Sequence, residues 1–323
     1  MTTYQNRRTF ILGTFAIVGA TLMASPFVGL AHAASATNPL DGMSEIRAIS
    51  QGKISTEGPV WDAANQRLIF SDIPGDTVYT YTPETGEEDI LRTPSDMANG
   101  LLLDGEGGLL AADQRTRVIS RMDLETGAVE PYITEYDGKP LNSPNDMFYH
   151  SSGLLYFTDP PLGMNLASEN KTRYIDFNGF YARHPDGTVE LLKEVAEDLN
   201  PNGVILSPDE KTLYLGISSD DVAPILAFDV APDGSLSNER EFATGLHNDG
   251  MAIDVDGNLY IGNETGVFVY APDGTHYGTI ALPGGEVATN MIFGGTDLKT
   301  LFITSRGPNV YAIDLTIAGV AGR

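Results

Sequence analysis

Short apolar runs, each bounded by polar and glycine-rich stretches, recur along the chain. They read Leu68-Ile69-Phe70-Ser71-Asp72, Leu109-Leu110-Ala111-Ala112-Asp113, Leu155-Tyr156-Phe157-Thr158-Asp159, Leu213-Tyr214-Leu215-Gly216, Leu259-Tyr260-Ile261-Gly262-Asn263 and Leu301-Phe302-Ile303-Thr304-Ser305. Runs this short, rich in aliphatic and aromatic residues, predict buried strands. Successive copies start 41, 46, 58, 46 and 42 residues apart, close to the spacing of four-stranded propeller blades. Six copies predict six blades. Thr85-Gly86, Thr126-Gly127, Asp186-Gly187, Asp233-Gly234 and Asp273-Gly274 sit between strand-like runs, as tight hairpin turns require.

The sixth unit has no residues for a fourth strand after Val310-Tyr311-Ala312-Ile313-Asp314-Leu315, whereas Glu45-Ile46-Arg47-Ala48-Ile49 precedes the first unit without a blade of its own. Pairing the two closes the ring and removes an exposed sheet edge. The expected fold is therefore all-β: a six-bladed β-propeller of four-stranded antiparallel blades, with an N-terminal strand closing the last blade. The third unit carries an insertion, roughly Pro160 to Asn178, with two readings: a surface loop able to cover one mouth of the central channel, or a plain tolerated insertion.

Composition narrows the class. With 35 Gly and 19 Pro in 323 residues the chain is too turn-rich for a helical bundle, and at 41% hydrophobic it is too apolar for a disordered one. The 19 Lys and Arg against 44 Asp and Glu give a net charge of −25, which repels phosphate backbones and anionic lipid at long range. Nucleic acid is not an expected partner. Without cysteine there is no disulfide, thiolate nucleophile or Cys-ligated zinc. Residues 1–33 read as a twin-arginine export signal: Arg7-Arg8, an apolar heart from Phe10 to Met23, and the cleavage site Ala31-His32-Ala33. Residues 34–323 would then form one propeller domain, periplasmic or secreted, with no membrane contact after cleavage.

Ten or eleven residues before each of the six strands lies one aligned position, held by Glu57, Asn99, Asn145, Asn202, Asp249 and Asn290. All six carry side-chain oxygens, and the placement puts them at the start of the innermost strand of each blade, facing the axis. Each alone would commonly satisfy turn backbone; repeated in phase around a channel, they make a site for a hard cation. Calcium takes about six to eight oxygen ligands, whereas zinc prefers about four of nitrogen or sulfur, and the histidines His32, His150, His184, His247 and His276 show no ligand spacing. Ca2+ is the expected cofactor, with Zn2+, Mn2+ or Mg2+ as other divalent choices. Asp254-Val255-Asp256-Gly257-Asn258 lacks the twelve-residue pattern and closing Glu of an EF-hand and is read as a hairpin turn.

The same residues carry a resemblance. From Glu57-Gly58-Pro59-Val60-Trp61 through Leu141-Asn142-Ser143-Pro144-Asn145-Asp146, Phe157-Thr158-Asp159-Pro160-Pro161, Pro201-Asn202-Gly203 and Asp249-Gly250-Met251 to Phe293-Gly294-Gly295, the chain resembles the gluconolactonase and regucalcin (senescence marker protein) family. Its members are six-bladed propellers with one divalent cation in the channel. The resemblance implies metal ligands at Glu57, Asn145, Asn202 and Asp249, and substrate contacts at Asn99 and Asp146, to which Ser143 and His247 are added as candidates. Ser143 stands where the regucalcin branch has arginine. Asn248 replaces a usual proline and Leu162 a common aromatic, both expected at the pocket mouth.

The activity so implied is hydrolysis of a sugar-acid lactone, a small-molecule substrate, with a metal-polarised carbonyl attacked by water. No G-x-S-x-G elbow is present, and the histidine spacing suggests no triad. Asp249 and Asp146 are the candidate general bases. Asp249 is favoured because its analogue is central in the family, although a calcium ligand is a weak base, so Asp146 stays open. Two alternatives stand beside this reading: a phosphotriesterase or arylesterase on the same scaffold, and a non-catalytic propeller that binds a ligand.

Overall fold

The computed structural model describes residues 37–166 and 171–320. The predicted leader, 1–33, lies outside them. The compact unit beginning at Asn38 is built of six four-stranded antiparallel sheets. Blade 1 runs Thr56–Asp62, Arg67–Asp72, Thr77–Thr82 and Glu87–Arg92; blade 2 runs Ala98–Leu103, Gly108–Asp113, Val118–Asp123 and Val129–Ile133. Blade 3 comprises Met147–Tyr149, Leu155–Asp159, Asn178–Arg183 and Val189–Val195, and blade 4 Asn200–Leu206, Thr212–Ser218, Val222–Val230 and Leu236–Leu246. Blade 5 is Met251–Ile253, Leu259–Asn263, Gly266–Tyr270 and His276–Ile280. Blade 6 takes Val287–Gly294, Thr300–Arg306 and Val310–Asp314 from the C-terminal end of the chain and Arg47–Ser50 from the N-terminal end.

Each of the six apolar runs forms the second strand of its blade, and the first strands contact one another in sequence around the axis, the sixth returning to the first. The closing strand pairs as expected, with Arg47 opposite Ala312 and Ser50 opposite Val310. Arg47 adds a bidentate pair to Asp314, at 3.0 and 3.1 Å. The five predicted Gly turns all adopt positive φ between the third and fourth strands, a conformation that glycine reaches without steric cost. Gly257 does the same between the first two strands of blade 5, where Asp254 Oδ1 accepts the amides of Asp256 and Asn258.

Hydrophobic packing runs between neighbouring blades. At the seam where the chain ends meet, Trp61 of blade 1 stacks on Phe302 of blade 6 with ring centroids 5.4 Å apart, and the cluster around them takes in Leu68, Phe70, Val310 and Ala312. Large flat side chains between twisted sheets set the angle from one blade to the next.

The described residues of the insertion mix exposed positions, such as Leu162 and Tyr174, with buried ones. Asn178 is fully buried and begins the third strand of blade 3, its side-chain amide donating to the carbonyl of Leu199 at 2.8 Å. Upstream, Leu162–Leu166 forms a short helix in which Met164 is buried, and Ile175 is buried further along. The described ends of the insertion are thus docked by apolar contacts. Arg117 Nη1 adds a hydrogen bond to the carbonyl of Thr172 at 2.9 Å.

Candidate active and metal centre

The six ring positions are held by local backbone irregularity. In blades 1, 2, 4 and 6 the first strand slips register against the second between Glu57 and Val60, Ala98 and Leu101, Pro201 and Val204, and Ala288 and Met291. Bulges of this kind re-aim side chains next to functional sites. In blades 3 and 5 the donors precede the strand: Asn145 and Asp249 donate their amides to Thr158 and Gly262.

Hydroxyls and amides then tie each irregular stretch to the next blade. Ser71 Oγ donates to the carbonyl of Asn99 at 2.8 Å, Thr158 Oγ1 to that of Asn202 at 2.9 Å and Thr289 Oγ1 to that of Thr56 at 2.7 Å. The amide of Gly100 donates to Asn145 and that of Gly250 to Thr289. Glycine is required where these backbones meet. A Cβ at Gly58, whose φ is +50°, would lie 2.2 Å from the Asn99 carbonyl, and one at Gly203 would lie 2.4 Å from that of Asp249.

The result is a ring in which Glu57, Asn99, Asn145, Asn202, Asp249 and Asn290 are each no more than 8% exposed. Glu57 and Asp249 share an electrostatic environment: burial, then the charge of Asp249, raises the Glu57 carboxyl well above its ordinary range, with Asp146 adding to the effect. Burial raises Asp249 too, opposed by Arg306 and by the Asn202 side chain. Asp146 is pushed up to about 7, chiefly by burial, with amide hydrogen bonds from Met147 and Val204 opposing and the Asp249 charge reinforcing. The charges of Glu57, Asp249 and Asp146 thus act on one another, and Asn202 lies beside Asp249.

The residues of the ring fall into two sets. Asn145 and Asn99, each 5% exposed, make no side-chain hydrogen bond among the described residues, which leaves their amide oxygens available in the channel. Asn290 instead uses its Oδ1 to accept the amide of Met291 at 2.8 Å, which is the turn-satisfying role. Two mutually destabilising carboxylates with carbonyl oxygens beside them suit a hard divalent cation. Among the described residues no three His, Asp or Glu side chains converge closely enough to hold a metal ion by themselves, so any cation held here would depend on the Asn oxygens.

Asp146 and the ring residue Asn290 both border a cavity whose other walls are mostly apolar, among them Val60, Leu102, Met147, Ile205 and Met251. Apolar walls beside these polar groups keep the local dielectric low, which strengthens charge interactions among them.

The remaining candidate residues differ in burial. Ser143 is fully buried: its amide donates to Asp159 Oδ1 at 2.7 Å, and its hydroxyl faces Gly163 of the insertion helix and lacks a hydrogen-bond partner. Asn248, expected at the pocket mouth, is also fully buried, and its side-chain amide donates to the carbonyls of Ile217 and Ala223, both at 3.1 Å. It braces blade 4 where proline has no N–H to offer. His247, with φ +53°, keeps its ring near the surface with Nε2 3.1 Å from Glu264. Leu162 is 36% exposed.

One residue escaped the sequence reading. Arg306, at the end of the second strand of blade 6, donates from Nη2 to Asp249 Oδ2 at 3.1 Å. No repeat-phase argument points to it, because it stands outside the ring position. Only the acidic surplus hints that a rare cation beside the ring has a task.

A six-bladed propeller with a polar, carboxylate-bearing ring at its axis defines the class of the protein. Residues 55–307 match the SMP-30/Gluconolactonase/LRE-like region, and the chain belongs to that family. It is 35% identical over 290 residues to a gluconolactonase of Zymomonas mobilis, covering 82% of this chain and 80% of that one. A pentonolactonase of Haloferax volcanii is 28% identical over 262 residues, covering 78% and 81%. Among solved structures, a gluconolactonase of Xanthomonas campestris superposes with a TM-score of 0.76 at 32% identity, covering 84% of this chain and 89% of that one.

Proposed function

We propose that the protein is a sugar-lactone hydrolase, a carboxylic-ester hydrolase acting at the ring of oxygen donors, with Ca2+ as its cation and Zn2+, Mn2+ or Mg2+ as substitutes. The observation that carries this is the mutual charge effect of Glu57 and Asp249, two carboxylates from opposite parts of the chain brought to one point beside Asn202. Glu57, Asn145, Asn202 and Asp249 would hold the cation. When bound, the cation would supply Lewis-acid polarisation of the lactone carbonyl.

The chain's own residues do the rest. A carboxylate takes a proton from water as its oxygen bonds to the carbonyl carbon. The ring C–O bond then breaks, and the departing oxygen takes up a proton to leave the open hydroxy acid. Asp249 is the favoured base. Asp146, held up to about 7, has the basicity suited to proton transfer near neutral pH and is the alternative. Asn99 carries a buried amide free to bond a substrate hydroxyl, and His247 stands near the surface as a second contact. Contact with Ser143 would require the helix Leu162–Leu166 to move. The twin-arginine leader supports a periplasmic or secreted location, which N-terminal sequencing of the exported protein checks: a chain beginning upstream of Ala31 argues for a tether.

The test of function is a pH-stat assay on gluconolactone beside an aryl ester and a phosphotriester, before and after chelation and after readdition of Ca2+. Lactone turnover that disappears with the metal and returns with it supports the reading. Preference for the phosphotriester, or no metal-dependent turnover, sinks it.

A further inference from the structure

Arg306 reaches the ring from blade 6 while about half exposed, whereas the Asp249 carboxylate that it grips is almost wholly buried. The fixed member of the pair is the aspartate. Arg306 Nη2 lies 3.1 Å from Asp249 Oδ2, and the charge of Asp249, with smaller effects from Glu57 and Glu264, holds the guanidinium proton more tightly. Its arrangement is that of a counter-ion to the ring's own carboxylates.

The backbone behind Arg306 is built to keep it there. Ser305 Oγ donates to Glu286 Oε2 at 2.7 Å and Asn309 Nδ2 to Glu286 Oε1 at 2.6 Å. A Cβ at Gly307 would collide with the same glutamate. The strand end is therefore pinned, and the freedom that remains lies in the arginine side chain.

We infer that Arg306 is an internal placeholder that competes with the divalent cation for Asp249 and so sets the cation affinity of the ring. This rests on the metal reading given above. A cation bound to Asp249 would sit within a few ångströms of the guanidinium, and at that separation their repulsion exceeds thermal energy several-fold even at the effective dielectric of a protein surface. Loading the ring would push the side chain away from Asp249, and Glu264, whose charge already acts on the guanidinium, offers it another carboxylate. Glu264 also takes the His247 ring at 3.1 Å, so His247 and Asp220, 3.9 Å from that ring, share the same electrostatic neighbourhood.

The experiment measures Ca2+ and Mn2+ dissociation constants by competition with a fluorescent chelator, using the full chain, Arg306→Met and Arg306→Lys. Thermal melting of each variant checks that it is folded. Arg306→Met, which keeps the length and loses the charge, is expected to bind both ions at least about ten-fold more tightly; Arg306→Lys, which keeps the charge, should remain within about three-fold of the wild type. An unchanged or weakened Kd in Arg306→Met overturns the placeholder role and makes Arg306 a brace for Asp249. A Lys variant as tight as the Met variant also overturns it, because the charge would then not be the cause. If the wild type binds neither ion, the metal reading of the ring falls as well, an outcome distinct from wild-type binding that the substitution leaves unmoved.

Discussion

Asp146 and Asp249, from blades 3 and 5, interact through the channel, and the charge of Asp249 reinforces the burial that lifts the Asp146 carboxyl to about 7. A carboxyl whose folded pKa lies above its unfolded value holds its proton more tightly in the native state. Its contribution to stability is complete below the ordinary carboxylate range and is lost as pH rises through about 7. Asp146→Asn removes that penalty. In chelated protein the variant should therefore melt higher than wild type at pH 8 and show a smaller advantage at pH 5. Asp159 is also raised to about 7 by burial, so the comparison is between variant and wild type at each pH. Equal differences at both pH values would contradict the assignment.

The choice of base is open to a direct comparison. Asp249→Asn should lower lactone turnover by a factor of about 10² to 10⁴ in protein shown by metal analysis to retain its cation. Unchanged turnover in that variant, together with a comparable loss in Asp146→Asn, would transfer the role to Asp146.

Cation binding should appear in stability as well as in rate. If the ring binds a cation only when folded, Ca2+ at about one hundred times its dissociation constant adds roughly 2.7 kcal/mol. Differential scanning calorimetry with and without chelator reads this as a rise in melting temperature, which Glu57→Gln should largely abolish. A rise that survives this substitution would place the ion elsewhere.

Gly203 tests whether backbone contact sets the spacing of the donors. A side chain there would press on the Asp249 carbonyl at 2.4 Å, and backbone cannot yield as a flexible side chain can. Gly203→Ala should cost about 1–3 kcal/mol in urea unfolding and weaken Ca2+ binding, since Asn202 and Asp249 must move apart. A variant with wild-type stability and affinity would show that the ring tolerates such a shift.

Closure of the ring depends on the strand more than on its ion pair. Arg47 and Asp314 are both about half exposed, and pairs of that kind contribute about 0–1 kcal/mol. Arg47→Ala should therefore change stability little, whereas deletion of the chain through Ser50 strips blade 6 of its outer strand and should cause loss of cooperative unfolding. Comparable losses from both would shift the weight to the side chains.

The architecture was legible because it is written in local periodicity. Apolar runs at the spacing of Leu68, Leu109 and Leu155, turn glycines such as Gly86 and Gly127, and a spare strand around Arg47 each follow from neighbours in sequence. The ring position was legible for the same reason, being repeated once per blade. What happens to each ring side chain was not legible: Asn145 is left without a partner, while Asn290 is occupied by the amide of the next residue, although the two look alike in the repeat. Asn248 was expected at the mouth and instead points into blade 4, because its direction depends on the carbonyls of Ile217 and Ala223.

The sequence by itself determined the repeat, the six strands, the closing of the ring and the oxygen-bearing residue offered by each blade, since these depend on alternation and turn chemistry within a few residues. Only the tertiary structure decided which of those residues share one electrostatic field, and that Arg306, 57 positions from Asp249 in the chain, grips its carboxylate. Electrostatic coupling depends on distance through space and on the water excluded from the channel. Both are set by how six blades pack around an axis, and neither is encoded in the spacing of any one of them.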